Sequence, residues 1–400
     1  MRVREDLSVV DTAARLDSLD AFRGFVMICL ASGGFGISAT ANAFPESHIW
    51  QSLRFQFQHV PWVGCAFWDL IQPSFMFMVG MSMPFSYSRK SHARTPFLSL
   101  LSQAVFRSLL LILLGLFLST GPKDSMTNFS FMNVLSQIGL GYTFVFLLWR
   151  RSFRIQIGTL VAIFLGYWAW FALTPVVSPE VDGTLLGLPR DWPILKGFTA
   201  HWQKNANAAS VFDQWFLNQF PRTEIFRWNE GGYQTLNFIP SIATMLLGLM
   251  TGEFIRGSQN HRKNTLSLAA AGIVLLGCGW ALNHYGYCPL VKRIWTPSWT
   301  LFSAGAALLI FAFIYTTVDG LGWKTWSWPL KIAGMNSMAL YILSQRLTGW
   351  TADLLQSHFG QNLFAAAGED FIPLVRSNLV LLCFWGFAWW LYRQRIFFRI

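Results

Sequence analysis

Apolar stretches of about twenty residues, separated by short polar connections, recur along the chain, and a membrane-spanning helix needs a run of about that length. Ten such stretches are present, at 20–41, 67–87, 102–120, 128–148, 155–177, 233–256, 265–284, 298–318, 328–349 and 374–392. The first, second, fourth and ninth contain Gly, Ser, Asn or Gln, which suit helix–helix contacts or a polar cavity better than lipid. The pattern predicts an all-α integral membrane fold: one polytopic domain of about ten transmembrane helices, with a polar N-terminal segment at 1–19. The long connection at 178–232 mixes Pro, Gly, Trp and both signs of charge, which predicts a folded outer cap rather than a flexible linker.

Composition agrees. The chain has 400 residues, 53% hydrophobic and 12% charged, where a soluble domain carries about 25% charged residues. Its 20 Trp and 37 Phe suit lipid-facing and interfacial positions. The net charge of +11 would suggest nucleic acid in a soluble protein. Here no basic-aromatic stripe or known module is present, so no nucleic-acid partner is expected.

The basic residues instead sort by side. With the N-terminus inside, 17 fall in inner segments: Arg2, Arg4, Arg15; Arg89, Lys90, Arg94; Arg150, Arg151, Arg154; Arg256, Arg262, Lys263; Lys324, Lys331; and Arg393, Arg395, Arg399. Nine fall in outer segments, five of them in the long loop, where charge says little about orientation. The alternation predicts that both termini are cytoplasmic. Met1 to Leu19 has no apolar core followed by a small-residue cleavage site, so the first helix is expected to be its own insertion signal. With the short loops, this points to a bacterial inner (plasma) membrane. The five cysteines are odd in number and lack CxxC spacing. Cys65 and Cys288 lie in connections, and the spacing neither requires nor forbids their pairing. No clustered His or Cys has metal-ligand spacing and no glycine-rich phosphate loop occurs, so no metal is expected.

Candidate chemistry concentrates in His59-Val60-Pro61-Trp62-Val63-Gly64 and the following Asp69. Pro61 keeps His59 out of a regular helix. Trp62 offers a stacking face, and Gly64 permits close backbone approach. Asp69, near the start of the second stretch, needs a partner. His59 reads as a base or nucleophile with Asp69 fixing its tautomer, or as an interfacial His beside an unrelated capping Asp. Contact between them requires the loop to fold back. Asp20 and Arg23 share a helix face, as a structural ion pair or as an anchor for substrate or phosphate. Ser32, Gly33, Gly34 and Gly36 suit either close helix packing or a broken helix lining a cavity. Arg107 and Arg346 should face the interior or snorkel to an edge. Glu230-Gly231-Gly232, the turn Lys292, Arg293 and Trp295, and Asn336 are further candidates for binding, each with an ordinary loop, solvated turn or buried contact as its alternative.

Several ordered segments together resemble the transmembrane acyltransferases related to lysosomal heparan-α-glucosaminide N-acetyltransferase, including bacterial relatives. They are Arg15-Leu16-Asp17-Ser18-Leu19-Asp20-Ala21-Phe22-Arg23-Gly24; His59-x-x-Trp62-x-Gly64-x4-Asp69-Leu70 with Pro73-x-Phe75-x-Phe77-x-x-Gly80; Asn133-Val134-Leu135-x-Gln137-Ile138-Gly139-Leu140-x-Tyr142; Pro289-x-x-Lys292-x-Ile294-Trp295-Thr296-x-Ser298; and Gly334-x-Asn336-Ser337. The resemblance implies that His59 is the active-site histidine and Asp69 its aspartate. It implies acetyl-CoA as donor, a glycan or other small-molecule acceptor, and a homodimer in membrane lipid. One departure is visible. Where the lysosomal enzyme has an asparagine at the polar end of its first helix, this chain reads Ala31-Ser32-Gly33-Gly34, with Ser32 the candidate to take part of that role. Arg23, Lys292 and Arg293 are candidate partners for the donor's phosphates, by charge. The expected activity is therefore acetyl transfer to an amine or hydroxyl of a sugar. The alternative is a transporter of an anionic small molecule or lipid-linked sugar, which ten spans and buried arginines also suit.

Overall fold

The computed structural model describes residues 16–92, 95–121, 123–177 and 182–398, the side chains of 89–92 excepted. Arg2, Arg4, Arg15, Arg94 and Arg399, and the side chains of Arg89 and Lys90, lie outside the described residues. Apolar runs with few charges must satisfy their backbone groups internally, and here they do so as helices. Among the described residues there is no strand, only an isolated bridge between Val63 and Val291. The α-helices are α1 (Asp17–Ala31), α2 (Ile37–Thr40), α3 (His48–Gln56), α4 (Ile71–His92), α5 (Phe97–Ser119), α6 (Val134–Leu148), α7 (Phe153–Leu173) and α8 (Ala208–Leu217). They continue with α9 (Phe238–Arg256), α10 (His261–His284), α11 (Pro297–Tyr315), α12 (Trp328–Met335), α13 (Ser337–Arg346), α14 (Thr348–Phe359) and α15 (Ile372–Arg393).

Six helical segments among the described residues are long and apolar enough to cross a membrane: Phe97–Ser119, Phe153–Leu173, Thr235–Arg256, His261–His284, Pro297–Gly320 and Glu369–Arg393. A seventh appears if α1 and the following Gly34–Ala43 segment, bent by 51°, count as one span. The protein is a multi-pass integral membrane protein. The other stretches fall short for identifiable reasons. α4 dilutes its apolar residues with Gln72, Pro73, Ser74, Gly80, Ser82 and Pro84. α6 is 15 residues long because Asn133, whose side chain accepts from the Ser136 N–H, caps it. The stretch 328–349 divides at Asn336, whose φ of −122° and ψ of 36° separate α12 from α13. The first stretch begins earlier than expected, at Asp17, and breaks between Ser32 and Gly36.

Small residues set the closest helix contacts, as their distribution implies. A Cβ on Gly24 would overlap the Leu330 carbonyl, and one on Gly334 the Asp20 carbonyl, so α1 and α12 touch backbone to backbone. Gly80 of α4 meets Met245 of α9 in the same way, and Gly248 of α9 meets Phe77 of α4. Phe22, Phe77, Phe146, Phe311, Tyr87 and Trp299 fill the space between helices and are fully buried. Charges inside the bundle find partners. Arg107 donates to the Tyr142 hydroxyl at 3.1 Å, and Arg346 donates to the carbonyls of Phe117 and Thr120. The connection before α9 is folded: Trp202 is fully buried, Asn207 caps α8, and the buried Asp213 accepts from the Thr235 N–H at 2.8 Å.

Candidate functional site

The turn after α3 cannot continue as helix, because Pro61 lacks an N–H and constrains its predecessor. It runs instead against the segment before α11. Val63 bridges to Val291, and the Gly64 N–H donates to the Leu290 carbonyl at 2.9 Å. Gly64 adopts φ 122°, a conformation glycine takes readily. The chain then re-enters helix through a 3₁₀ turn, Phe67–Leu70, whose Asp69 points back across the loop. Asp69 Oδ2 accepts from the N–H groups of Val60 and Ala66, both at 3.2 Å. Its Oδ1 lies 2.7 Å from His59 Nδ1 and accepts from Lys292 Nζ at 3.2 Å. The fold-back that contact between His59 and Asp69 requires is thus made by the aspartate itself.

Exposure divides the three groups by task. The side chain of His59 is 39% exposed, that of Asp69 1% and that of Lys292 4%. Asp69 and Lys292 lie in turns outside the spanning helices. Burial pushes the Asp69 carboxyl up, but the His59 hydrogen bond and the Lys292 charge outweigh it and hold the carboxyl below its ordinary value. Burial brings the Lys292 ammonium down to about 8, against the upward pull of Asp69. An ionised carboxylate only accepts hydrogen bonds, so the 2.7 Å contact places the proton on His59 Nδ1. Lys292 Nζ, although 3.1 Å from Nδ1, therefore serves Asp69 rather than the ring. The imidazole is left with Nε2 as its basic, nucleophilic nitrogen. Trp68 flanks it, ring centroids 6.4 Å apart.

Lys292 is positioned by a tightly bonded turn. Thr296 caps α11 and its hydroxyl also accepts from the Val291 N–H at 3.1 Å. Trp295 takes a left-handed φ of 47° and donates from Nε1 to the Thr244 hydroxyl at 3.1 Å. Tyr167 donates to the Ile294 carbonyl at 3.0 Å. The sequence marked Lys292 as a basic turn with an anionic partner. The structure turns it inward onto Asp69. No local pattern marks this, because Lys292 stands beside Arg293 in what reads as an ordinary basic turn.

Other candidates gather around or away from this centre. Trp62 is buried, donates to the Trp202 carbonyl at 2.9 Å and packs edge-on to Trp192. Its ring lies where a Cβ on Gly232 would fall, which with the φ of 77° at that position explains the glycine after Glu230 and Gly231. Glu230 itself is exposed. Arg293 donates to the Gly231 carbonyl and lies over the Tyr233 ring. Ser32 is committed to the break in the first helix: its hydroxyl donates to the Cys29 carbonyl at 2.8 Å and accepts from the Phe35 N–H at 3.1 Å. Arg23 pairs with Asp20 at 3.2 Å, on the part of α1 that packs against α12. Asn336 is fully buried; its amide donates to the Ile396 carbonyl and accepts from the Phe398 N–H, both at 3.1 Å, tying down the C-terminal segment. Cys65 and Cys288 are both free. Sequence reading missed Trp68 and Gln58 beside His59, and the two backbone N–H groups that orient Asp69. None has a distinguishing residue type, and only the folded turn brings them together.

No family model matches the chain. The chain is 24% identical, over 97% of its length, to the mouse protein heparan-alpha-glucosaminide N-acetyltransferase, and 23% identical over 96% of its length to the human protein of that name. It covers 61% and 60% of those proteins, so it spans about three fifths of the length of the curated relatives it matches. The similarity runs through nearly the whole chain. The chain is a distant homologue of heparan-alpha-glucosaminide N-acetyltransferase, related to it at the level of the family.

Proposed function

We propose that the protein is a membrane-embedded acyltransferase that moves an acetyl group from acetyl-CoA to an amine or hydroxyl of a sugar or other small acceptor. The observation that carries this reading is the 2.7 Å contact between Asp69 and His59 Nδ1, which leaves Nε2 of a partly exposed ring to react. Two routes use it. In the direct route Nε2 takes the acceptor's proton as the acceptor attacks the thioester carbonyl, the C–S bond breaks, and the proton passes to the departing thiolate. In the covalent route Nε2 attacks the carbonyl, the C–S bond breaks and the thiolate leaves. The acceptor then attacks the acetyl group, its C–N bond to Nε2 breaks, and the freed Nε2 takes the acceptor's proton and passes it on to the thiolate. In both, the imidazole becomes cationic for part of the cycle and Asp69 stabilises that charge. Lys292 pairs with Asp69 at 3.2 Å and holds the carboxylate in place against the ring. Similarity to an N-acetyltransferase supports the donor and the reaction class.

The alternation of basic residues supports ten crossings with both termini cytoplasmic, and hence a site near the outer face. Acetyl-CoA is made in the cytosol, so the donor has to reach His59 from the inner side. Arg23, partly exposed on α1, is about 12 Å along the helix from its last residue, Ala31, at 1.5 Å per residue. It is suited to meet the donor's phosphates while the thioester arm follows α1 to the break. Glu230, Arg293, Trp62 and Gly64 would shape the outer side, around the acceptor. Acetyl-CoA binding to the purified protein tests the donor, by calorimetry in detergent. Saturable binding that weakens in Arg23→Gln supports this path. A well-folded protein that takes up no acetyl-CoA contradicts it.

A further inference from the structure

The end of the first helix reverses in a way that the proposed chemistry does not use. Gly33, Gly34, Phe35 and Gly36 have φ of 56°, 70°, 57° and 71°, a run of left-handed residues that a side chain as large as Phe35 adopts only at a cost. Strain of this kind persists only where its surroundings hold it, and it gathers at binding sites. Here the surroundings do hold it. The Phe35 N–H donates to the Ser32 hydroxyl, and the Phe35 carbonyl accepts from Asn378 at 3.3 Å. Gly36 sits so close to α15 that a Cβ would overlap the Pro373 carbonyl. Gly33, by contrast, faces open space.

That space is a cleft of about 400 Å³ between the broken helix and the start of α15, lined by Gly33, Gly36, Ser38, Asn42, Arg376 and Ser377 among others. Its lining contains no aromatic ring and a single charge. Arg376 is exposed, and among the described residues no carboxylate lies within ion-pair distance of it. Hydroxyl and amide groups flanking one guanidinium match a ligand that carries hydroxyls beside an oxyanion. The cleft also adjoins His59. Ser38 accepts from Gln58 Nε2 at 2.8 Å, and Gln58 directly precedes His59. Gly34, at the turn, packs against Phe57 and Trp68, the ring beside His59.

We propose that this cleft binds an oxyanion flanked by hydroxyl groups, as a sugar acid or a ribose phosphate presents, with Arg376 as the anion's partner. Its service to His59 rests on the acyltransferase reading, whereas the binding is measured without turnover, so the two fail separately. The chemistry has two sources, a sugar-acid acceptor and the phosphorylated ribose of the donor. Full-length protein in detergent is titrated with glucuronate and with glucose by ligand-observed NMR, as wild type, Arg376→Gln and Arg376→Lys, with coenzyme A as competitor. Melting temperatures confirm that the variants are folded. Wild type should bind glucuronate more tightly than glucose. Arg376→Gln should weaken glucuronate by about tenfold, the loss of one charge-assisted hydrogen bond, while Arg376→Lys retains most of the affinity. If coenzyme A displaces glucuronate in an Arg376-dependent way, the site belongs to the donor, and the path that places the donor's phosphates at Arg23 is wrong. If it does not, the site belongs to the acceptor, and either result upholds the oxyanion site. Wild type that takes up no glucuronate, or Arg376→Gln that binds it as tightly as wild type, overturns the proposal.

Discussion

At the scale of residues, Asp69 does the organising. Its two oxygens take four donors: His59, Lys292 and the N–H groups of Val60 and Ala66. That set fills the usual acceptor positions of a carboxylate, so Asp69 has no freedom to rotate and fixes the histidine's tautomer. The arrangement makes a prediction about pH. Lys292 holds a positive charge against Asp69 and loses its proton near pH 8. The wild-type pH–activity profile should therefore show an inflection there, as the Asp69 carboxylate loses its counter-charge. Lys292→Met removes that charge at every pH, so its profile should lack the inflection. Profiles of equal shape would show that Lys292 does not govern His59. Of this cluster, His59 and Asp69 were legible in sequence because a loop proline and a carboxylate at a helix start each constrain their neighbours. Lys292 was legible only as a basic residue. Its partner is 223 positions away, and no local pattern encodes burial of a lysine against so distant a carboxylate.

At the scale of elements, polar and small residues within apolar stretches divide into two kinds. Some let helices touch. Gly24, Gly80, Gly248 and Gly334 sit where the facing backbone leaves no room for a Cβ. Gly248→Ala should therefore force α4 and α9 apart and cost about 1–3 kcal/mol, the usual penalty for overpacking. The readout is the melting temperature in detergent, with Gly158→Ala as the control, because that glycine has open space around its Cβ position. Equal effects of the two substitutions would contradict the packing. Others end helices. Asn133 delays the start of α6, Asn336 parts α12 from α13, and Gly33 to Gly36 bend the first helix. Hydrophobic length alone located the stretches but not these interruptions. A cap or a left-handed turn depends on one or two residues, and a twenty-residue window averages them away.

At the scale of the whole molecule, six or seven segments meet a strict test of length and apolarity, while the charge pattern supports ten crossings. The additional crossings require α4, α6 and the α12–α13 pair to span while shielded by the longer, more apolar helices. α4 fits that place: it packs against α9 through glycines, and its Phe77, Met78 and Met81 are buried. Ten crossings with a cytoplasmic N-terminus, as we propose, would place His59 on the outer side. A cysteine at position 59, in a chain whose own five cysteines are changed to serine, should react with a membrane-impermeant maleimide added from outside. Labelling only from the cytoplasmic side would invert the topology. Sidedness, tautomer and donor path all converge on the reactivity of one nitrogen. Purified protein incubated with acetyl-CoA labelled in its acetyl group, wild type beside His59→Ala, measures that reactivity most directly. The account predicts acetyl label on the protein, or thioester cleavage, in the wild type and its loss in the variant, with label on protein lacking acceptor marking the covalent route. Cleavage that persists undiminished in a folded His59→Ala protein would contradict it.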